Sequence, residues 1–242
     1  MSDLHINKIN ADITLCEPDG GIRFGTDALL LADFASGIKS GLCIDFGTGS
    51  GVIPLLMLAT GCKADFLGLE LQEKYAEAAS ENASSNGFSE RFKVVCGNAS
   101  DHRTLFESGR ADYVITNPPY MRADCGSDNN SLPLNIARRE VFGGAEEFCK
   151  AASWCLKSGG SFFAVYRPDR LVNLLCAMRN NRIEPKRLRA VIPSVGKKPS
   201  LILVEGRKDG REGLTYENDL IIYADGTHTV QSEEMQKIYE RF

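Results

Sequence analysis

Two periods of apolar and polar positions divide most of the chain. Short apolar runs occur at residues 42–46, 65–69, 91–96, 112–116 and 161–166, each bounded by glycine or polar residues, and segments with helical spacing separate them at 52–60, 72–86, 143–156 and 169–180. Runs of that length, rich in β-branched and aromatic residues, predict strands buried on both faces, and the longer periodic segments predict helices. Their alternation predicts an α/β domain with a doubly wound parallel sheet. Two more strands are expected at 186–192 and 201–205. Upstream, residues 12–16 alternate like a strand, 17–21 read as a turn, and Thr26 and Asp27 open the apolar helix 28–35. The polar stretch 212–242 predicts a short hairpin and a helix. Three parts follow: an N-terminal segment 1–36 packed on the main domain, the domain itself at 37–211, and a C-terminal tail at 212–242.

Composition narrows the class. At 43% hydrophobic and 25% charged residues the chain matches an ordinary soluble protein able to build a core without staples. No apolar run approaches the roughly 20 residues needed to span a bilayer, and residues 1–10 lack a signal-peptide core, so a cytoplasmic location is expected. Eight scattered cysteines (16, 43, 62, 96, 125, 149, 155, 176), none in a Cys-x-x-Cys pair, read as reduced packing residues. His5, His102 and His228 cluster neither with one another nor with the cysteines, so no metal site is expected.

Candidate chemistry lies at the strand ends. The first strand runs into Asp45-Phe46-Gly47-Thr48-Gly49-Ser50-Gly51 and then an apolar helix. A glycine turn between a strand and a helix N-terminus lets backbone approach a ligand closely and aims free amides at it. The glycines at 47, 49 and 51 match neither the Gly-x-Gly-x-x-Gly dinucleotide pattern nor a triphosphate loop. An acid with no dedicated phosphate donor suits a cationic, non-phosphorylated adenosine ligand. Glu70 closes the second strand, where an acid can accept from both ribose hydroxyls. Gly97-Asn98-Ala99 closes the third; the Asn98 amide can read an adenine edge, and Asp101 reads better as a helix cap than as a ligand. The fourth ends in Asn117-Pro118-Pro119-Tyr120, whose prolines stop both sheet and helix. Asn117 and the carbonyls of that unit can grip an amide or exocyclic amine, and Tyr120 offers a stacking face.

These four motifs, in this order, resemble the class I S-adenosylmethionine-dependent methyltransferases of the amino-methylating type. More narrowly, residues 23–34 and Ala137-Arg138-Arg139-Glu140 resemble the bacterial tRNA methyltransferases that convert adenosine 37 of a valine tRNA to N6-methyladenosine. The resemblance implies a seven-stranded Rossmann-like sheet of order 3-2-1-4-5-7-6 with strand seven antiparallel, and S-adenosyl-L-methionine as cofactor. It implies Asn117, Pro118 and Tyr120 at the reacting amine, with Asp45, Gly47, Thr48, Gly49, Gly51, Glu70, Leu71, Asn98, Ala99 and Asn117 around the cofactor. The implied partner is the tRNA anticodon loop; the sequence does not specify the oligomeric state, and a monomer is favoured. Between residues 170 and 211 eleven Lys or Arg face only Glu184, Glu205 and Asp209, which marks a basic face. Arg138, Arg139, Lys186, Arg187, Lys197 and Lys198 are the RNA-contact candidates, and the Ser/Asn/Asp-rich residues 124–133 are expected to form a lip over the substrate. Two other substrates share the motif, a ribosomal RNA adenine and a release-factor glutamine. An RNA-binding module that keeps the fold without catalysis is the remaining alternative.

Overall fold

The computed structural model describes residues 4–8, 13–18, 25–118 and 144–242. Strands β1 (Leu4–Lys8) and β2 (Thr14–Pro18) form an antiparallel ribbon ahead of helix α1 (Thr26–Phe34). The central domain then follows the expected alternation: β3 (Ser40–Phe46), α2 (Val52–Ala59), β4 (Lys63–Glu70), α3 (Glu73–Ser85), β5 (Phe92–Cys96), the short α4 (His102–Leu105) and β6 (Ala111–Thr116). After residue 144 come α5 (Ala145–Cys155), β7 (Leu156–Tyr166), α6 (Leu171–Asn180), β8 (Ile183–Ser194) and β9 (Leu201–Lys208). The tail supplies β10 (Thr215–Tyr216), β11 (Leu220–Tyr223) and α7 (Glu233–Arg241).

The sheet runs β5-β4-β3-β6-β7-β9-β8, which is the expected 3-2-1-4-5-7-6 order. All neighbouring pairs are parallel except those of β9, which is antiparallel to both β7 and β8. The sheet is larger than the seven strands expected. β10 and β11 pair parallel with the outer edge of β8, opposite residues 187–188 and 191–194, and not with each other; the tail's antiparallel turn follows β11, where Tyr223 bridges Gln231. The cause is physical: β8 exposes an open row of donors and acceptors, and the tail covers it.

Both faces of the sheet are buried, as the uninterrupted apolar runs require. Alternate residues of the strands enter opposite cores: Ile115, Phe163, Val165 and Leu203 pack with α1, α2 and Met235, Ile238 and Phe242, whereas Val114, Phe162, Ala164 and Val204 pack with α5 and α6. Helix α2 is buried on every side from Val52 to Leu58, which explains why it carries no polar stripe. Trp154 packs partly buried against the second core and donates Nε1–H to the Phe106 carbonyl at 3.1 Å.

Candidate active site

Strand register brings the motifs to one edge. Phe46 of β3 lies opposite Thr116 of β6, so Gly47 and Asn117 are the first residues beyond the paired ends. On the other flank Phe46 pairs with Leu69 and Glu70 with Cys96, which puts Glu70 at the same edge and Asn98 two residues past it. At about 4.8 Å per strand spacing, Asn117, Gly47, Glu70 and Asn98 span about 14 Å of the carboxyl edge, where open α/β sheets take ligands.

The glycine loop has the backbone that only glycine adopts readily. Gly47, Gly49 and Gly51 have φ of 73°, 57° and 85°. The amides of Gly47 and Thr48 donate to the Leu69 carbonyl at 2.8 and 3.1 Å, and Gly49 N–H donates to Glu70 Oε2 at 3.0 Å. A Cβ on Gly51 would lie 2.6 Å from the Phe92 ring, so that glycine also serves packing. A Cβ on Gly47 or Gly49 would meet nothing within 4 Å, so the outer side of the loop is open to a ligand.

Two acids stand behind that loop. Asp45 is buried, and its Oδ2 accepts from Thr48 Oγ1 at 2.7 Å while Oδ1 has no partner. Burial pushes its carboxyl up to about 7; the Thr48 hydroxyl opposes the shift and the Glu70 charge adds to it. Glu70 is also raised by burial, against the lowering effect of backbone donors at Gln72, Gly49 and Leu71. Its Oε2 accepts from Gly49 N–H at 3.0 Å and its Oε1 from Gln72 N–H at 2.9 Å, and two carboxylate oxygens with about four lone-pair sites leave room for a hydroxyl beside three backbone donors. An unpartnered buried acceptor, a strand-end carboxylate and an open glycine loop fit a cationic adenosine cofactor.

The third strand end is a tight turn. Asn98 Oδ1 accepts from Ser100 N–H at 3.0 Å, so Asn98 provides the cap expected of Asp101, whose side chain caps nothing. The Ala99 carbonyl is held by the His102 ring at 2.9 Å, and the Leu71 carbonyl contacts Cys96 Sγ at 3.8 Å. Asn117 is half-buried and Pro118 buried at the end of β6. Tyr120, Arg138, Arg139, the 124–133 lip and the Arg23-Phe24 motif lie outside the described residues.

The basic run does not gather into one face. Arg187 donates to Glu205 at 2.6 Å and Glu217 at 2.7 Å and lies over the Phe34 ring at 4.4 Å, which commits it to the fold rather than to phosphate. Lys186 donates to the Arg211 carbonyl at 3.0 Å. Arg179 pairs with Glu184 and Glu212, and Arg189 with Glu234. Three of these acids, Glu212, Glu217 and Glu234, belong to the tail and lie outside the stretch whose charges were counted. Lys197 and Lys198 are exposed at the turn between β8 and β9, on the edge that carries Asn117. Arg187 is about 23 Å of strand away from the end of β8, too far to share a phosphate with them.

Sequence reading overlooked two polar residues near the site. Thr116 Oγ1 donates to the Phe46 carbonyl at 2.9 Å, and Asn82, fully buried in α3, reaches the Ser50 carbonyl at 2.9 Å. The available signal for Asn82 was an amide in helical register with the apolar positions Ala79 and Ala83.

The fold is that of Rossmann-like methyltransferases: a crystal structure of a predicted O-methyltransferase from Agrobacterium tumefaciens superposes with a TM-score of 0.73 at 22% identity, over 89% of this chain and 96% of that one. The chain belongs to the methyltransferase small domain family, whose model matches residues 19–175. It is 30% identical over 206 residues to the tRNA1(Val) (adenine(37)-N6)-methyltransferase of Porphyromonas gingivalis, across 83% of this chain and 78% of that protein. It is also 34% identical over 109 residues to the release factor glutamine methyltransferase of Agrobacterium fabrum, across 44% of this chain and 36% of that protein. Among the described residues no group of three or more His, Cys, Asp or Glu could hold a metal ion, and no helix is long and apolar enough to cross a membrane.

Proposed function

We propose that this protein transfers a methyl group from S-adenosyl-L-methionine to the exocyclic N6 amine of adenosine 37 in the anticodon loop of a valine tRNA, acting as a cytoplasmic monomer without a metal. The observation that carries this reading is the Phe46–Thr116 register, which supports setting Asn117-Pro118 beside the open glycine loop. When bound, the cofactor supplies an electrophilic methyl on a sulfonium. Asp45 faces the cationic part of that ligand, Glu70 receives ribose hydroxyls, and the turn at Leu71, Asn98 and Ala99 borders the adenine. The Asn117 side-chain oxygen and the Pro118 carbonyl accept the two hydrogens of the substrate amine. Those bonds turn the nitrogen lone pair toward the methyl and stabilise positive charge as it grows on nitrogen, so catalysis is mainly orientation. Tyr120 stacks on the base, and an unpaired loop base is splayed out at less cost than a duplex base.

The test is nucleoside mass spectrometry of unmodified bulk tRNA incubated with the protein and cofactor. A rise in N6-methyladenosine, confined by sequencing to position 37 of one valine tRNA, is expected. No rise with cofactor bound, together with methylated glutamine on a release factor, would overturn the RNA substrate; a primary amide offers the same two hydrogens.

A further inference from the structure

Asn82 is a buried side chain with more hydrogen bonds than packing requires. Its Oδ1 accepts from Cys16 N–H at 2.8 Å, and its Nδ2 donates to the Cys16 carbonyl and to the Ser50 carbonyl, both at 2.9 Å. The amide orientation is set by these partners, because only nitrogen can donate to two carbonyls and only oxygen can accept from an N–H. Asn86, one turn on, repeats the ribbon half of this pattern: it accepts from Thr14 N–H at 3.0 Å and donates to the Thr14 carbonyl at 2.8 Å. Two helix amides four residues apart thus stand in for a neighbouring strand, and dock β2 on α3. Their remaining bonds differ: Asn86 Nδ2 donates to the Asn82 carbonyl of its own helix at 2.8 Å. Asn82 also holds Ser50, which lies between Gly49, whose amide Glu70 grips, and Gly51, which starts α2.

We infer that Asn82 is a positioning residue that couples the N-terminal ribbon to the cofactor loop. The proposal rests on the glycine loop being the cofactor loop. A loop with three left-handed glycines has many alternative backbones, and hydrogen bonds on both sides of Gly49 restrict it to the binding one. Removing Asn82 releases the Ser50 carbonyl and lets the loop wander; ordering it again then costs cofactor affinity and leaves the chemistry at Asn117 unchanged.

The experiment compares the full-length parent with Asn82→Ala and Asn86→Ala. Both variants loosen the ribbon, and only the first touches the loop. Calorimetry with S-adenosylmethionine is expected to show affinity falling about tenfold in Asn82→Ala, the size of a lost buried hydrogen bond, and changing less than about twofold in Asn86→Ala. At saturating cofactor, kcat and the KM for tRNA stay within about twofold of the parent in both variants. Equal cofactor affinity in the two variants would overturn the role of Asn82, whereas a parent that binds no cofactor would overturn the reading of the loop itself. A second measurement needs no variant to fold. Cofactor binding to the parent should slow amide exchange at Cys16 at least about fivefold, with little change at Thr14, and equal slowing or none at both would refute the coupling.

Discussion

Thr116 and Phe46 are tied together at the ends of their strands: the Thr116 hydroxyl donates to the Phe46 carbonyl at 2.9 Å, and both residues are buried. The bond crosses from β6 to β3 one residue before each chain leaves the sheet, so it sets the distance between Asn117 and Gly47. Thr116→Val keeps the shape of the side chain and leaves a buried carbonyl short of a donor. Urea unfolding is expected to show a loss of about 1–3 kcal/mol. Methyl transfer should drop further than cofactor affinity, because the acceptor side of the site moves relative to the loop.

Asn117 carries the chemistry in this scheme. Asn117→Ala is expected to abolish detectable methyl transfer while calorimetric cofactor affinity stays within severalfold, since the glycine loop and Glu70 are untouched. Unchanged turnover would remove Asn117 from the mechanism.

The buried carboxyl of Asp45 gives the protein a pH dependence. Burial raises it to about 7, so the folded chain holds this proton more tightly than the unfolded chain. Its contribution to stability is therefore complete below the ordinary carboxylate range and is lost as pH rises through about 7. A cationic cofactor needs the ionised form, so affinity runs the other way and should rise about tenfold between roughly pH 6 and pH 8. Asp45→Asn should flatten that profile and raise the thermal midpoint more at high pH than at low pH. A parent profile as flat as that of the variant would show that Asp45 does not face the cation.

Lys197 and Lys198 are exposed on the site edge, whereas Arg187 is held by Glu205 and Glu217. Replacing both lysines with alanine should weaken tRNA binding and flatten the slope of log affinity against log salt by about 1.4–1.8. Arg187→Met should leave that slope alone and lower stability by about 2 kcal/mol, because two carboxylates lose a shared partner. Filter binding across a salt series, with unfolding curves alongside, separates the two behaviours.

The strands, the helices between them and the four strand-end motifs were legible in the sequence because they are local, whereas the strand order was implied by the family resemblance those motifs carry. A buried parallel strand must be a short apolar run, a left-handed turn must be glycine, and a chain that leaves a sheet through two prolines declares its end. Asp45, Gly47, Glu70, Asn98 and Asn117 each sit at such a boundary, and a doubly wound topology sends every parallel strand end to one edge. Partners distant in sequence were settled only in three dimensions. The count of basic residues from 170 to 211 could not include Glu212, Glu217 and Glu234, which fold back and pair with Arg179, Arg187 and Arg189. The tail strands settled on β8 because that edge was open, which no pattern within residues 212–242 announces. Asn82 serves Cys16 and Ser50, 66 and 32 residues away, so its role follows from packing geometry alone. Periodicity records which face of an element is buried; it carries no record of which distant backbone group a buried amide will meet.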